Sequence, residues 1–85
     1  MKTEREHACS LDNRTAVEAS KLCGCFYCLA IFPPALVTKW TWGDQTALCP
    51  ICGIDSVLPS SEVQLDDYFE FRDLLTRMKA EWFDA

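Results

Sequence analysis

The chain reads as a small α+β domain: a β-hairpin region carrying two cysteine pairs, packed against an N-terminal helix and a long C-terminal helix. Three observations predict this. Cys25-Phe26-Tyr27-Cys28 and Cys49-Pro50-Ile51-Cys52 repeat a C-x2-C spacing with twenty residues between them. Short β-prone runs flank the second pair. The last third repeats its apolar residues with a helical period. Eighty-five residues make a single domain, residues 1–85. A core of that size supplies only ~3–5 kcal/mol, so such domains often add disulfides or a metal.

The first element is a helix over residues ~11–22. Asp12 or Asn13 is placed to cap it, since a side-chain oxygen there reaches free N–H groups of the first turn. Val17 and Leu22, with Ala16 and Ala19, form its apolar stripe.

Residues 23–58 follow as a cysteine region. Pro33-Pro34 favours a helical turn over residues 34–40, because the fixed φ of proline suits a first turn. Trp42-Gly43-Asp44 reads as a turn. Thr46-Ala47-Leu48 and Asp55-Ser56-Val57-Leu58 read as paired strands, with Cys49–Gly53 as the tip of their hairpin. Gly53 suits a positive φ just after the second cysteine pair. Asp55 is placed to accept backbone hydrogen bonds at that turn.

The last helix spans residues ~62–83. Ser61-Glu62-Val63-Gln64 matches a capping box. Tyr68, Phe71, Leu75, Met78 and Trp82 fall in one stripe, with Glu62, Asp66, Glu70, Asp73 and Glu81 opposite. Asp73 stands four residues before Arg77, a favourable pair of ~0.3–0.5 kcal/mol.

The opening Met1-Lys2-Thr3-Glu4-Arg5-Glu6 has no apolar segment of a signal peptide, and no run is long enough to span a membrane. A cytoplasmic chain is therefore expected. Thiols stay reduced there, so paired cysteines point to metal. Two C-x2-C turns each aim two sulfurs at one point, the arrangement that surrounds a tetrahedral zinc ion. The metal ligands are then Cys25, Cys28, Cys49 and Cys52, holding one structural zinc in a zinc-ribbon-like domain with two zinc knuckles. Iron suits the same four thiolates.

Cys23 lies two residues from Cys25, close enough to stand behind the ligands or replace one; the plainer reading is a buried apolar residue. Cys9 with His7 suggests a second metal or a nucleophile–base pair, against the plainer reading of a solvated histidine.

The runs Cys23-Gly24-Cys25-Phe26-Tyr27-Cys28-Leu29 and Thr46-Ala47-Leu48-Cys49-Pro50-Ile51-Cys52-Gly53-Ile54-Asp55-Ser56-Val57, with Met78-Lys79-Ala80-Glu81-Trp82-Phe83 at the end, carry a resemblance. Over most of residues 20–83 the chain resembles a family of small bacterial cytoplasmic zinc-binding proteins without an established activity. The resemblance implies the same four cysteine ligands.

Three functions compete. The net charge is −5, and −4 of it falls in residues 60–85. An acidic face suits a protein-interaction module, whether adaptor, inhibitor or immunity-type protein, whose partner has a basic surface. Asp66, Glu70 and Asp73 would meet that partner. Phe69 and Phe83, off the main stripe, would form a second apolar strip for it or for a homodimer. The plainer reading is a solvated face. The second function is nucleic-acid binding or a transcription-associated role, with Phe26, Tyr27, Trp40 and Trp42 stacking on bases. Lys21 and Lys39 are the few cations nearby, and no basic patch accompanies them. The third is an enzyme using Cys9, Cys23 or a second metal, for which no acid–base–nucleophile set is visible.

Overall fold

The computed structural model describes residues 3–83, all but the first two and last two of the expected domain. Its helices are α1 (Glu4–Ala8), α2 (Arg14–Ala19), α3 (Ser60–Val63) and α4 (Tyr68–Trp82). Its strands are β1 (Cys23–Cys25), β2 (Ile31–Phe32), β3 (Trp40–Thr41), β4 (Thr46–Ala47) and β5 (Val57–Pro59). A single 3-10 turn, Pro34–Leu36, stands where a helical turn over 34–40 is expected.

All strand pairings are antiparallel. One sheet has the order β2-β1-β5, and β3 pairs with β4 alone. The expected hairpin of residues 46–48 with 55–58 therefore does not form. Thr46 and Ala47 pair with Thr41 and Trp40, while Val57, Leu58 and Pro59 pair with Cys25, Gly24 and Cys23. Both runs are strands, but their partners come from elsewhere in the chain. The Trp42–Asp44 turn, all three residues at positive φ, closes β3 onto β4, so β4 pairs there rather than with β5.

Period-2 alternation divides the three-stranded sheet between two cores. Gly24 is paired with Leu58 and with Ile31, and this set faces α4, where Leu58 meets Phe71, Leu74, Leu75, Met78 and Phe26. Cys23, Cys25, Val57 and Phe32 face the other way and pack with Val17, Val37, Ala47 and Cys49. The molecule is thus layered: α4, the sheet, then α2 with β3–β4 and the second cysteine turn. Gly24 is what lets α4 approach. A Cβ there would lie 2.5 Å from Leu75 Cδ1 and 2.9 Å from Phe71 Cε2.

Both main helices are shorter than expected. The helix of residues ~11–22 narrows to Arg14–Ala19, with Leu22 beyond its end. Neither Asp12 nor Asn13 caps it through its side chain. Asn13 is instead buried: its Nδ2 donates to the carbonyls of Cys9 (3.1 Å) and Val57 (2.9 Å), and its Oδ1 accepts from Ala47 N–H (3.0 Å). Two tertiary bonds inside the core, with a third to the nearby Cys9, outweigh one local cap. The helix of residues ~62–83 breaks in two. Gln64 adopts a left-handed conformation (φ 57°) after α3. The capping box is not used, and α4 starts afresh at Asp67, whose Oδ1 accepts from the N–H groups of Phe69 and Glu70. Of the expected stripe, Phe71, Leu75 and Met78 are buried and Leu74 joins them, while Tyr68 and Trp82 are partly exposed. The Asp73–Arg77 pair forms at 3.3 Å.

Helix α1 was not expected, because its sequence is polar with no apolar stripe. It is held from outside. Thr3 donates from N and Oγ1 to the Glu81 carboxylate, Trp82 Nε1 donates to Thr3 Oγ1 at 2.9 Å, and the His7 ring lies 4.2 Å from that of Trp82. No helix among the described residues is long and apolar enough to cross a membrane.

Candidate metal centre

The two C-x2-C turns fold as near copies of one another. In each, the N–H of the first cysteine bonds to the carbonyl five residues on: Cys25 to Ala30 and Cys49 to Ile54. Its carbonyl accepts from the residue four on, Leu29 or Gly53. That fourth residue is left-handed in both, φ 66° at Leu29 and 82° at Gly53. The next two N–H groups then turn inward onto the first sulfur. Tyr27 and Cys28 point at Cys25 Sγ (3.3 and 3.4 Å), and Ile51 and Cys52 at Cys49 Sγ (3.4 and 3.5 Å). The spacing is thus a conformational requirement. Two residues between cysteines allow one tight turn with its donors on sulfur.

The fold sets these turns face to face. The first joins β1 to β2; the second joins β4 to β5. All four sulfurs lie within 4.8 Å of one another. Cys25 Sγ is 3.6 Å from Cys52 Sγ, and Cys28 Sγ is 3.7 Å from Cys49 Sγ. A metal–sulfur bond of ~2.3 Å gives a tetrahedral edge of ~3.8 Å, so these separations fit one shared ion. Cys25 and Cys49 are buried, whereas Cys28 and Cys52 are half-buried. One edge of the cluster therefore reaches the surface.

The electrostatics divide the four. Burial pushes the Cys28 thiol up against the opposing pull of the Ala30 N–H, and the charge on Cys25 pushes it further. Cys52 is raised in the same way, mainly by burial, with the Ile54 N–H opposing and the bond and charge of Cys25 adding to the rise. Burial also acts to raise Cys49, but the N–H groups of Cys52 and Ile51 and bonds from the Cys28 and Cys52 thiols outweigh it, so Cys49 is lowered. Like charges this close resist ionising together. A cation at the centre reverses that balance and favours four thiolates.

Ser56 is a member of the site that sequence reasoning passed over. It is buried, and its Oγ lies 3.0 Å from Cys25 Sγ. Only its strand was legible. The pairing of Val57 with Cys25 is what carries Ser56 to the sulfur.

Cys23 stands apart from the four. It is fully buried, its Sγ lies 4.0 Å from the Val17 carbonyl, and burial pushes its thiol up to about 12. It is not one of the four clustered sulfurs, and it packs in the same apolar core as Cys25 and Cys49. His7 and Cys9 do not form a pair. His7 lies against Trp82 and Phe26 (5.6 Å) rather than in open solvent. Cys9 Sγ donates to the Arg5 carbonyl, and burial together with the charges of Glu62 and Glu6 raises its thiol. Asp55 is exposed, and the hydrogen bond it accepts comes from the Trp42 indole (3.5 Å) rather than from the turn backbone.

The expected contact residues separate. Phe69 and Phe83 stand at opposite ends of α4, Phe69 in its first turn and Phe83 just past its end, ~21 Å apart along the axis. Phe83 packs against Tyr27 (4.9 Å) and Phe26 (5.6 Å). Phe69 is 79% exposed. Asp66, Glu70 and Asp73 are all exposed near it.

Compared with protein-family models, curated proteins and solved structures, the chain finds no match in any of the three.

Proposed function

We propose that this chain is a zinc-stapled, non-catalytic protein-interaction module. The observation that carries the reading is the closed geometry of the cysteine cluster. Four protein sulfurs fill a tetrahedral shell, leaving no ligand position for water or substrate, as is typical of structural zinc sites. Inward N–H groups and the Ser56 hydroxyl stabilise thiolate charge there. The same tetrahedron of thiolates suits iron as well as zinc; zinc is the reading adopted here because a redox-inert ion serves as a staple, supplying folding energy to a domain this small. The exposed carboxylates of Asp66, Glu70 and Asp73 around the start of α4 support the interaction role, since they complement a basic protein surface.

Two measurements test this. Elemental analysis of protein purified without added metal should give one zinc per chain, and Cys49→Ser should lose it. One iron per chain, or zinc retained by both Cys49→Ser and Cys28→Ser, overturns the staple. Affinity purification of the zinc-loaded chain from its own cells, with mass spectrometry, should return a protein partner with a basic surface. Recovery of nucleic acid that survives physiological salt would favour the nucleic-acid reading instead.

A further inference from the structure

The outer side of α4 carries an exposed aromatic residue. Phe69 falls there, away from Phe71, Leu74, Leu75 and Met78. Leu65, Phe69, Glu70, Asp73 and Arg77 line an open groove of about 430 Å³ along that side. Phe69 is the most exposed large apolar residue among those described, at 79%. Its ring meets that of Tyr68 edge to face, with centroids 5.4 Å apart.

Acidic residues at a helix start have an ordinary explanation, because the N-terminal end of the helix dipole favours them. Asp67 is accounted for in this way, as the cap. That explanation does not reach Phe69, which gains nothing from the helix dipole and stays in water at the cost of its apolar area. Beside it, Asp73 is paired with Arg77. Asp66 and Glu70 have no ion-pair partner among the described residues.

Resting on the interaction-module reading above, we propose that this groove docks a basic amphipathic segment of a partner protein. One apolar side chain of the segment sits against Phe69 and Leu65, and flanking lysines or arginines meet Glu70 and Asp66. Charge complementarity selects this occupant. A nucleic-acid backbone would meet the same carboxylates and is repelled. An exposed aromatic ringed by charge is also the usual form of an interface anchor.

The test is an NMR titration of the intact, zinc-loaded, ¹⁵N-labelled chain. The probe is a synthetic helical peptide of leucines and lysines; its counterpart carries glutamate in place of lysine. The basic peptide should shift the N–H signals of Leu65, Phe69, Glu70, Asp73 and Arg77, weakening as salt rises. Phe69→Ser should weaken binding about tenfold or more, and Glu70→Lys should remove most of the salt dependence. Both positions are exposed, and unchanged cysteine N–H signals will show that each variant keeps its fold. Shifts on another face, equal binding of the acidic peptide, or indifference to Phe69→Ser overturns the proposal. So does concentration-dependent dimerisation that Phe69→Ser abolishes. The affinity purification separates this failure from that of the module reading. A partner retained equally by Phe69→Ser overturns the groove alone, whereas no partner for the native chain overturns the module reading and the groove with it.

Discussion

Two glycines show how one residue type answers two different physical demands. Gly24 is needed for space: α4 lies where its Cβ would be, with Leu75 Cδ1 at 2.5 Å. Gly53 is needed for conformation: its φ is 82°, and nothing lies within 4 Å of a Cβ there. Gly24→Ala should therefore cost ~1–3 kcal/mol by overpacking. Gly53→Ala should cost about 1 kcal/mol or somewhat more through its backbone alone. Urea melts of the zinc-loaded proteins measure both. Trimming Leu75 to alanine should partly rescue Gly24→Ala and leave Gly53→Ala unrescued. Gly53 was legible, because a turn after C-x2-C announces a positive φ. Gly24 was not, because its neighbour arrives from fifty residues away. Leu29 fills the position equivalent to Gly53 in the first turn, at φ 66°. Its side chain packs beside Phe26 and Leu58, an apolar gain that offsets the left-handed cost.

The elements obey local chemistry where that chemistry faces no competition. Asp67 does, and it sets the start of α4 by accepting two N–H groups of the first turn. Asp67→Ala should destabilise the domain by ~1 kcal/mol, and Asp67→Ser should recover most of that loss. Thermal melts followed by circular dichroism decide it. A loss confined to helix content at residues 68–71, with no change in the melting temperature, would show that the cap acts only on local fraying. Asn13 has the right chemistry for a cap but is used in the core, where it ties α2 to β4 and β5. The capping box at Ser61–Gln64 loses in the same way. Ser61 Oγ donates to the Ala16 carbonyl, and Ser61 N–H donates to Ser20 Oγ. These two serines serve contacts between α2 and α3, so the chain bends at Gln64 instead of running on.

At the scale of the whole molecule, the cysteine cluster joins a turn of the three-stranded sheet to the turn that follows β4. The second turn belongs to neither sheet, and β3–β4 is a two-residue pair, too short to persist alone. With zinc in the cluster as proposed, a binding energy of ~10–16 kcal/mol, as in small zinc peptides, would become folding energy. A chelator should therefore remove the tertiary fold and lower the melting temperature sharply. Full circular dichroism and an unchanged melt after chelation would contradict this. Metal affinity should also fall as the pH falls, because protons compete for the sulfurs. Cys28 and Cys52, whose thiols are raised chiefly by burial, hold their protons to higher pH than an ordinary cysteine. Each thiol that must lose a proton on binding lowers the apparent affinity about tenfold per pH unit. Metal release followed from pH 8 downward measures the slope, and a flat profile would mean that the sulfurs are not the ligands.

The sequence by itself determined several features that depend on near neighbours. The two cysteine turns, the positive φ of Gly53, the strand character of residues 46–47 and 57–58, the buried stripe of α4 and the Asp73–Arg77 pair all follow from spacings of a few residues. Tertiary structure decided which strand pairs with which, because several short strands can satisfy the same backbone bonds and only packing chooses between them. It also decided where the last helix breaks, that Asn13 faces inward, that Ser56 reaches Cys25, and that Cys23 stays out of the metal cluster. Each of these depends on a group brought from a distant part of the chain, and no local pattern encodes that arrival.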